Sequence, residues 1–345
     1  MRCNPHRLLA CAVLATLAAS VPAWAQSSVS ISGLLDAGVY RGFDGVNQLG
    51  TIQRSNVAIS GFEDLGGGNK AIFRLSTRLD LDTGESEGVG FKPYWHDEST
   101  VGLQGGWGTV RIGRALTPMW AQDWKFDPWG NFNRIASPAW HQWHALTPSD
   151  PYGNNGTAEY GRINNGIFYD SPKMAGFTLR LSASPERQSE LGATQRPYAA
   201  ALEYEQHGVS ALAAYERNSV GDKNTFLAGK YSFGSAAVML AHDESRSAGK
   251  VVNAGKSRAT TLGGTYNLGA TTLKAGYGHQ RLNQDTHRFV SVGADYALSK
   301  RTTLYGTFTY ADAKAGATLL TTVVAGGTAA NVGTSLLNVG VRHSF

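Results

Sequence analysis

From residue 28 onward the chain alternates. Val29, Ile31, Gly33, Leu35, Ala37 and Val39 fall on one parity, and Ser30, Ser32, Asp36 and Gly38 on the other. The same period recurs where Val57 and Ile59 oppose Asn56, Ala58 and Ser60, and where Ala71, Phe73 and Leu75 oppose Lys70, Arg74, Ser76 and Arg78. Further along, Phe177, Leu179 and Leu181 oppose Thr178, Arg180 and Ser182, and Leu273, Ala275 and Tyr277 oppose Lys274, Gly276 and Gly278. A two-residue period sends successive side chains to opposite faces of a strand, so each stretch predicts a β-strand with one apolar and one polar face. Each has about the length a tilted strand needs to cross a bilayer, and several begin or end in Tyr, Phe or Trp. The last nine residues repeat the pattern, with Val339, Val341 and Phe345 opposing Asn338, Gly340, Arg342 and Ser344. Ending on a free aromatic suits a barrel whose outer face meets hydrocarbon.

Between the strands, residues 63–69, 267–270 and 298–301 read as short Gly/Asn/Ser turns, and 80–96, 184–197 and 243–257 as longer polar loops. Alternating short and long connections are the periplasmic and extracellular ends of a membrane barrel. At the N-terminus, a basic start with Arg2, His6 and Arg7, an apolar run from Leu8 to Ala19 and Ala23-Trp24-Ala25 predict a signal peptide over residues 1–25. Both cysteines, Cys3 and Cys11, fall inside it, so the mature chain has no disulfide and no thiolate metal site. Beyond residue 25 no run approaches the roughly 18 apolar residues of a membrane helix. A membrane chain without helices has to be a closed barrel, because hydrocarbon offers no partner to open backbone groups. The rival is a soluble β-protein with its apolar parity turned inward. Charge on the polar parity favours a lumen, where Arg and Lys sit beside small residues. The formal net charge of +5 adds little, since local pore charge sets selectivity and surface charge is screened within about 8 Å at physiological salt.

The ordered motifs Ser28–Gly38, Glu63–Phe73, Leu81–Gly84, Trp107–Arg114, Asn164–Pro172, Leu298–Gly306 and the tail resemble Gram-negative general porins of the neisserial and burkholderial type. The resemblance covers residues 28–345. It implies an all-β, 16-stranded antiparallel transmembrane β-barrel over residues 26–345, multi-pass in the outer membrane, with the third extracellular loop folded inward. It also implies a homotrimer, contact with outer-membrane lipid and assembly machinery that reads Phe345, and passive passage of ions and small hydrophilic solutes, without a cofactor.

The constriction loop is expected over residues 115–161. It carries the acids Asp123, Asp127 and Glu159, and the aromatics Trp120, Trp124, Trp129, Trp140 and Trp143. The basic wall facing it is expected to hold Arg54, Arg74, Arg78 and Arg111, read mainly from parity, with Arg114 and Arg162 placed by the resemblance. Acids on one side and bases on the other set up a transverse field that orders water and orients dipolar solutes. The chain departs from the family at Asn56, Ser60 and Phe168, where relatives often carry a base, so the expected anion preference is weak to moderate. The tryptophans leave open a channel selective for sugars or aromatic acids; otherwise they pack the loop against the wall. A barrel enzyme built on Ser137 with His141 or His144 lacks a nucleophile motif. Paired histidines without clustered carboxylates or cysteine make no metal site, and no motif or basic patch points to nucleic acid.

Overall fold

In the computed structural model the described residues are 27–42, 45–87, 93–146, 161–185, 195–249, 254–313 and 333–345. The signal peptide expected over residues 1–25 lies outside them. The strands are β1 (Ser28–Arg41), β2 (Asn47–Gly50), β3 (Ser55–Gly66), β4 (Asn69–Leu79), β5 (Glu98–Gly105), β6 (Gly108–Leu116), β7 (Arg162–Asp170), β8 (Phe177–Ala183) and β9 (Tyr198–Gln206). They continue as β10 (Val209–Arg217), β11 (Lys223–Phe233), β12 (Ala236–Ser247), β13 (Gly255–Leu268), β14 (Thr271–Leu282), β15 (Asp285–Ala297), β16 (Thr302–Ala313) and β17 (Gly333–Ser344).

All pairings are antiparallel between neighbours, and β1 closes the sheet on β17 from Leu34↔Ser344 to Arg41↔Leu337. β2 and β3 are two halves of one barrel strand, for β1 pairs with β2 near its end and with β3 near its start. The result is a closed barrel of 16 strands, as the sequence resemblance implies. The break at residues 51–54 is filled by Asp36, whose Oδ1 accepts from the N–H of Ile52 at 2.9 Å and of Gln53 at 2.7 Å. Among the described residues closure leaves no strand edge without a partner, which the membrane interior requires.

The faces are inverted relative to a soluble sandwich. Ile31, Leu103, Leu240, Leu262 and Val339 are exposed on the outside, whereas Asp36, Ser76, Asn224, Asp243, Ser257 and Thr309 are buried within. Parity fixed the two faces; the structure shows which faces lipid. Turns at one end are tight, as at Gly67-Gly68, His207-Gly208 and Gly269-Ala270, while the other end carries the long connections. One expectation shifts: within residues 243–257, β12 runs on to Ser247 and β13 begins at Gly255. Cross-strand pairing holds the polar ends together, with Glu244 3.1 Å from Arg258 and 2.6 Å from Lys256. A polar composition there marks the solvated rim of two strands.

Candidate functional site: the lumen and its inserted loop

After β6 the chain turns inward. Of the loop, residues 117–146 and 161 are described; Glu159 lies outside them. Thr117 precedes a helical turn, Pro118–Gln122, with Pro at its start, where the missing N–H costs nothing. A 3-10 turn, Asp123–Phe126, and a second helical turn, Pro138–Gln142, follow. Met119, Phe126, Ala139 and Trp143 pack on Leu212, Ala214, Phe226 and Ala241 of the inner wall. Here the lumen is apolar, because it is filled by protein. Room for the loop comes from glycine: a Cβ on Gly276 would sit 2.8 Å from the Trp129 ring and 3.1 Å from Pro138, and one on Gly263 2.5 Å from Pro128.

The loop acids hold the loop together. Asp127, 5% exposed, accepts from Trp129 N at 2.9 Å, Asn131 N at 3.0 Å and Ser137 Oγ at 3.0 Å through one oxygen. Burial pushes its carboxyl up to about 6, against the pull of those donors. Asp127 is therefore turned into the loop and away from the channel, which corrects its expected place facing the basic wall. Asp123 is also buried; it meets His144 Nε2 at 3.1 Å, while His144 Nδ1 lies 2.7 Å from Asp243 on β12. Burial acts to lower the His144 pKa, but the Asp243 charge and the bonds to both carboxylates raise it to about 10. A protonated imidazole thus bolts the loop to the wall. Thr117 and Trp120 add donors to Glu216 at 2.7 and 3.3 Å.

The aromatics divide in the same way. Trp129 and Trp143 are buried in loop packing, Trp120 lies against His144, and Trp140 is half-buried under Arg54. Trp124, 42% exposed, faces the open channel. Ser137 caps the second helical turn, accepting from Trp140 N at 3.0 Å. His141 is buried beside Phe289, and burial pushes its pKa down to about 3, so its imidazole is neutral. Ser137 and His141 are thus each engaged in loop architecture.

The arginines separate into struts and open charges. Arg162 is 1% exposed and bonded to Asp97; Arg78 is 2.8 Å from Asp97 and 3.6 Å from Glu87. Arg134 of the inserted loop also binds Glu87, and although burial opposes it, the Arg134 and Arg78 charges hold that carboxyl down at about 2. Arg114 donates to His96 O at 2.7 Å and to Asn164 at 2.5 Å. The expectation that Arg114 and Arg162 present charge to the channel is revised: they fasten the long connections to the wall, while Arg78 reaches the channel cavity with its charge engaged by Asp97 and Glu87.

Arg74 and Arg111 stay in the channel. They begin a ladder of alternating charge across successive strands: Arg74–Glu98 at 3.2 Å, Glu98–Arg111 at 2.7 Å, Arg111–Asp170 at 3.5 Å, Asp170–Arg180 at 3.0 Å, Arg180–Glu203 at 3.0 Å, and finally Glu203–Lys125 of the loop. Glu98, Asp170, Arg180, Glu203 and Lys125 were not singled out in the sequence. Parity alone puts Arg180 on the polar face; the ladder needs the register that places β5 beside β6 and β7 beside β8. Phe168, where the sequence resemblance implies a base, is buried with Ala115 and Ile163, and its ring centre lies 5.6 Å from the Arg111 guanidinium. Beside the ladder is a cavity of about 460 Å3 reaching Arg54, Asn56, Arg74, Arg111, Trp124 and Phe132. A second, of about 390 Å3, lies towards the tight-turn end and shares Arg74, Glu98 and Arg111 with the first.

A family model described as Gram-negative porin matches residues 10–316. The chain is 30% identical over 356 residues to outer membrane porin protein 32 of Delftia acidovorans, covering 96% of this chain and 98% of that one. It is 27% identical over 325 residues to major outer membrane protein P.IB of Neisseria lactamica, covering 84% and 90%. Among solved structures, the anion-selective porin from Comamonas acidovorans matches with a TM-score of 0.78 at 25% identity, over 93% of this chain and all of that one. The OmpT outer membrane protein of Vibrio cholerae shares the fold, with a TM-score of 0.67 at 13% identity over 92% of this chain and 99% of that one.

Proposed function

Because this chain belongs to the Gram-negative porin family, and is an outer-membrane barrel for passive diffusion, we propose that its channel has a weak anion preference set by the Arg74–Lys125 ladder. The ladder carries this reading: four cations, Arg74, Arg111, Arg180 and Lys125, alternate with three acids, Glu98, Asp170 and Glu203. Excess positive charge on the wall of a water-filled lumen raises the local anion concentration, and the intervening acids keep the excess small. The name of the related Comamonas porin, anion-selective, supports the same sign.

The homotrimer implied by the sequence resemblance belongs to this reading, and one protein of the same fold was solved in a trimer form. Zero-current potentials across planar bilayers in a KCl gradient test the selectivity. Wild type is expected to reverse on the chloride side of zero, and Arg74→Gln with Arg111→Gln to move toward potassium. An unmoved potential in the double variant sinks the proposal.

A further inference from the structure

We propose that the cavity beside the ladder is a binding site for aromatic carboxylates, with Arg54 as its anion receptor. The proposal rests on the reading of the chain as a channel and names a solute class for it. Most cations around the cavity are already engaged: Arg74 and Arg111 by Glu98, and Arg78 by Asp97 and Glu87. Arg54 differs. Among the described residues no carboxylate lies within ion-pair distance of it, and its Nε is buried without a hydrogen-bond partner. Its guanidinium carbon lies 5.2 Å from the centre of the Phe132 ring and 4.6 Å from that of Trp140. Aromatic contact engages the face of a guanidinium and leaves its terminal N–H2 groups, whose paired donors match a carboxylate.

Two neighbours complete the site. Asn56 uses Oδ1 to accept from Leu34 N at 3.2 Å, and its amide N–H2 remains as a second donor on the cavity wall. Trp124 supplies an exposed aromatic face from the loop, with its indole nitrogen tied to Ala121 O at 2.9 Å. That bond fixes the ring while leaving its π-face to a solute. A cationic edge with aromatic surface selects a solute with one charged and one flat apolar end. Glu87 and Asp123 act on Arg54 only from beyond ion-pair distance, so a neutral sugar would offer its edge no anion, and a small aliphatic acid would leave the rings bare. The volume, about 460 Å3, is within the range of small-molecule sites.

The test uses the full-length barrel folded in detergent and inserted in planar bilayers in KCl. Benzoate, cyclohexanecarboxylate, acetate, benzyl alcohol and glucose are each added at constant ionic strength. Benzoate is expected to lower the open-channel current saturably, at a concentration at least fivefold below that for cyclohexanecarboxylate. The other three should have no saturable effect. Arg54→Gln should abolish the benzoate effect, Arg54→Lys should weaken it, and Trp124→Ala should make benzoate and cyclohexanecarboxylate equal. Equal effects of those two acids in wild type, saturable block by glucose, or an unchanged benzoate effect in Arg54→Gln overturns the site. Calorimetric titration of benzoate into the detergent-folded barrel separates the two readings. Conduction without Arg54-dependent binding removes the site and keeps the channel; binding without conduction removes the channel and keeps the site.

Discussion

At the scale of single residues, side chains of one type take different work according to what stands opposite. Arg74 and Arg162 are both arginines beside acids, yet Arg74 is 38% exposed in its side chain and Arg162 is sealed against Asp97. The consequence is sharpest at Glu98, which bridges Arg74 and Arg111 at the junction of the two cavities. Removing that one negative charge frees Arg74 and leaves Arg111 with Asp170 alone. A unit charge about 6 Å from a permeating ion in water is worth about 0.7 kcal/mol, roughly threefold in the passage of one ion and in the opposite sense for its counter-ion. Glu98→Gln is therefore expected to raise the chloride-to-potassium permeability ratio roughly three- to tenfold, with the shift fading at high salt. Zero-current potentials at 0.1 M and at 1 M mean KCl check both parts; an unchanged ratio at the lower salt would remove Glu98 from the selectivity wall.

Among elements, the inserted loop is the one whose arrangement the sequence conceals. Its length, its acids and its tryptophans are legible, and so is its place after Arg114. Which way each acid points is decided by packing. Asp127 turns inward because three donors of its own loop converge on it, and nothing in Asp127-Pro128-Trp129-Gly130 distinguishes that from an acid facing water. The strands are easier: a period of two survives any packing, so Arg74 and Phe73 separate by parity alone. The loop's main bolt also sets a pH dependence. The His144 pKa stands at about 10 in the fold against an ordinary value of 6.5, with Asp123 and Asp243 in contact and Glu216 close by. The native state holds the proton that the unfolded chain gives up, so stability falls as pH rises from about 6.5 through 10. The lost fraction is on the order of several kcal/mol, since the group is buried. Thermal unfolding in detergent should show the apparent Tm dropping between pH 7 and pH 10 in wild type. His144→Gln should begin lower and stay nearly flat over that window. Parallel pH profiles for the two proteins would show that His144 is not charged in the fold.

For the whole molecule, closure depends on a seam between the two ends of the chain, which is the step most exposed to a change at the last residue. Phe345 N donates to Gly33 O and Gly33 N donates to Phe345 O, both at 3.1 Å, so the terminal residue is a full member of the β1–β17 pairing. Its ring lies directly over Gly33, where a Cβ would come within 2.7 Å of the ring carbon. Phe345 therefore has two separable parts: a backbone that finishes the seam and a ring that lies on the outer face at the membrane boundary. Deleting Phe345 removes both, and Phe345→Ala removes only the ring. If assembly in cells depends on the ring, both variants should insert several-fold less folded barrel there. Phe345→Ala should then fold normally when refolded into detergent, where no machinery acts. If the seam is what matters, the deletion alone should fail, in cells and in detergent alike. The amount of heat-modifiable folded protein on cold gels measures each case. Wild-type levels of both variants in cells would show that the tail is needed for neither closure nor recognition.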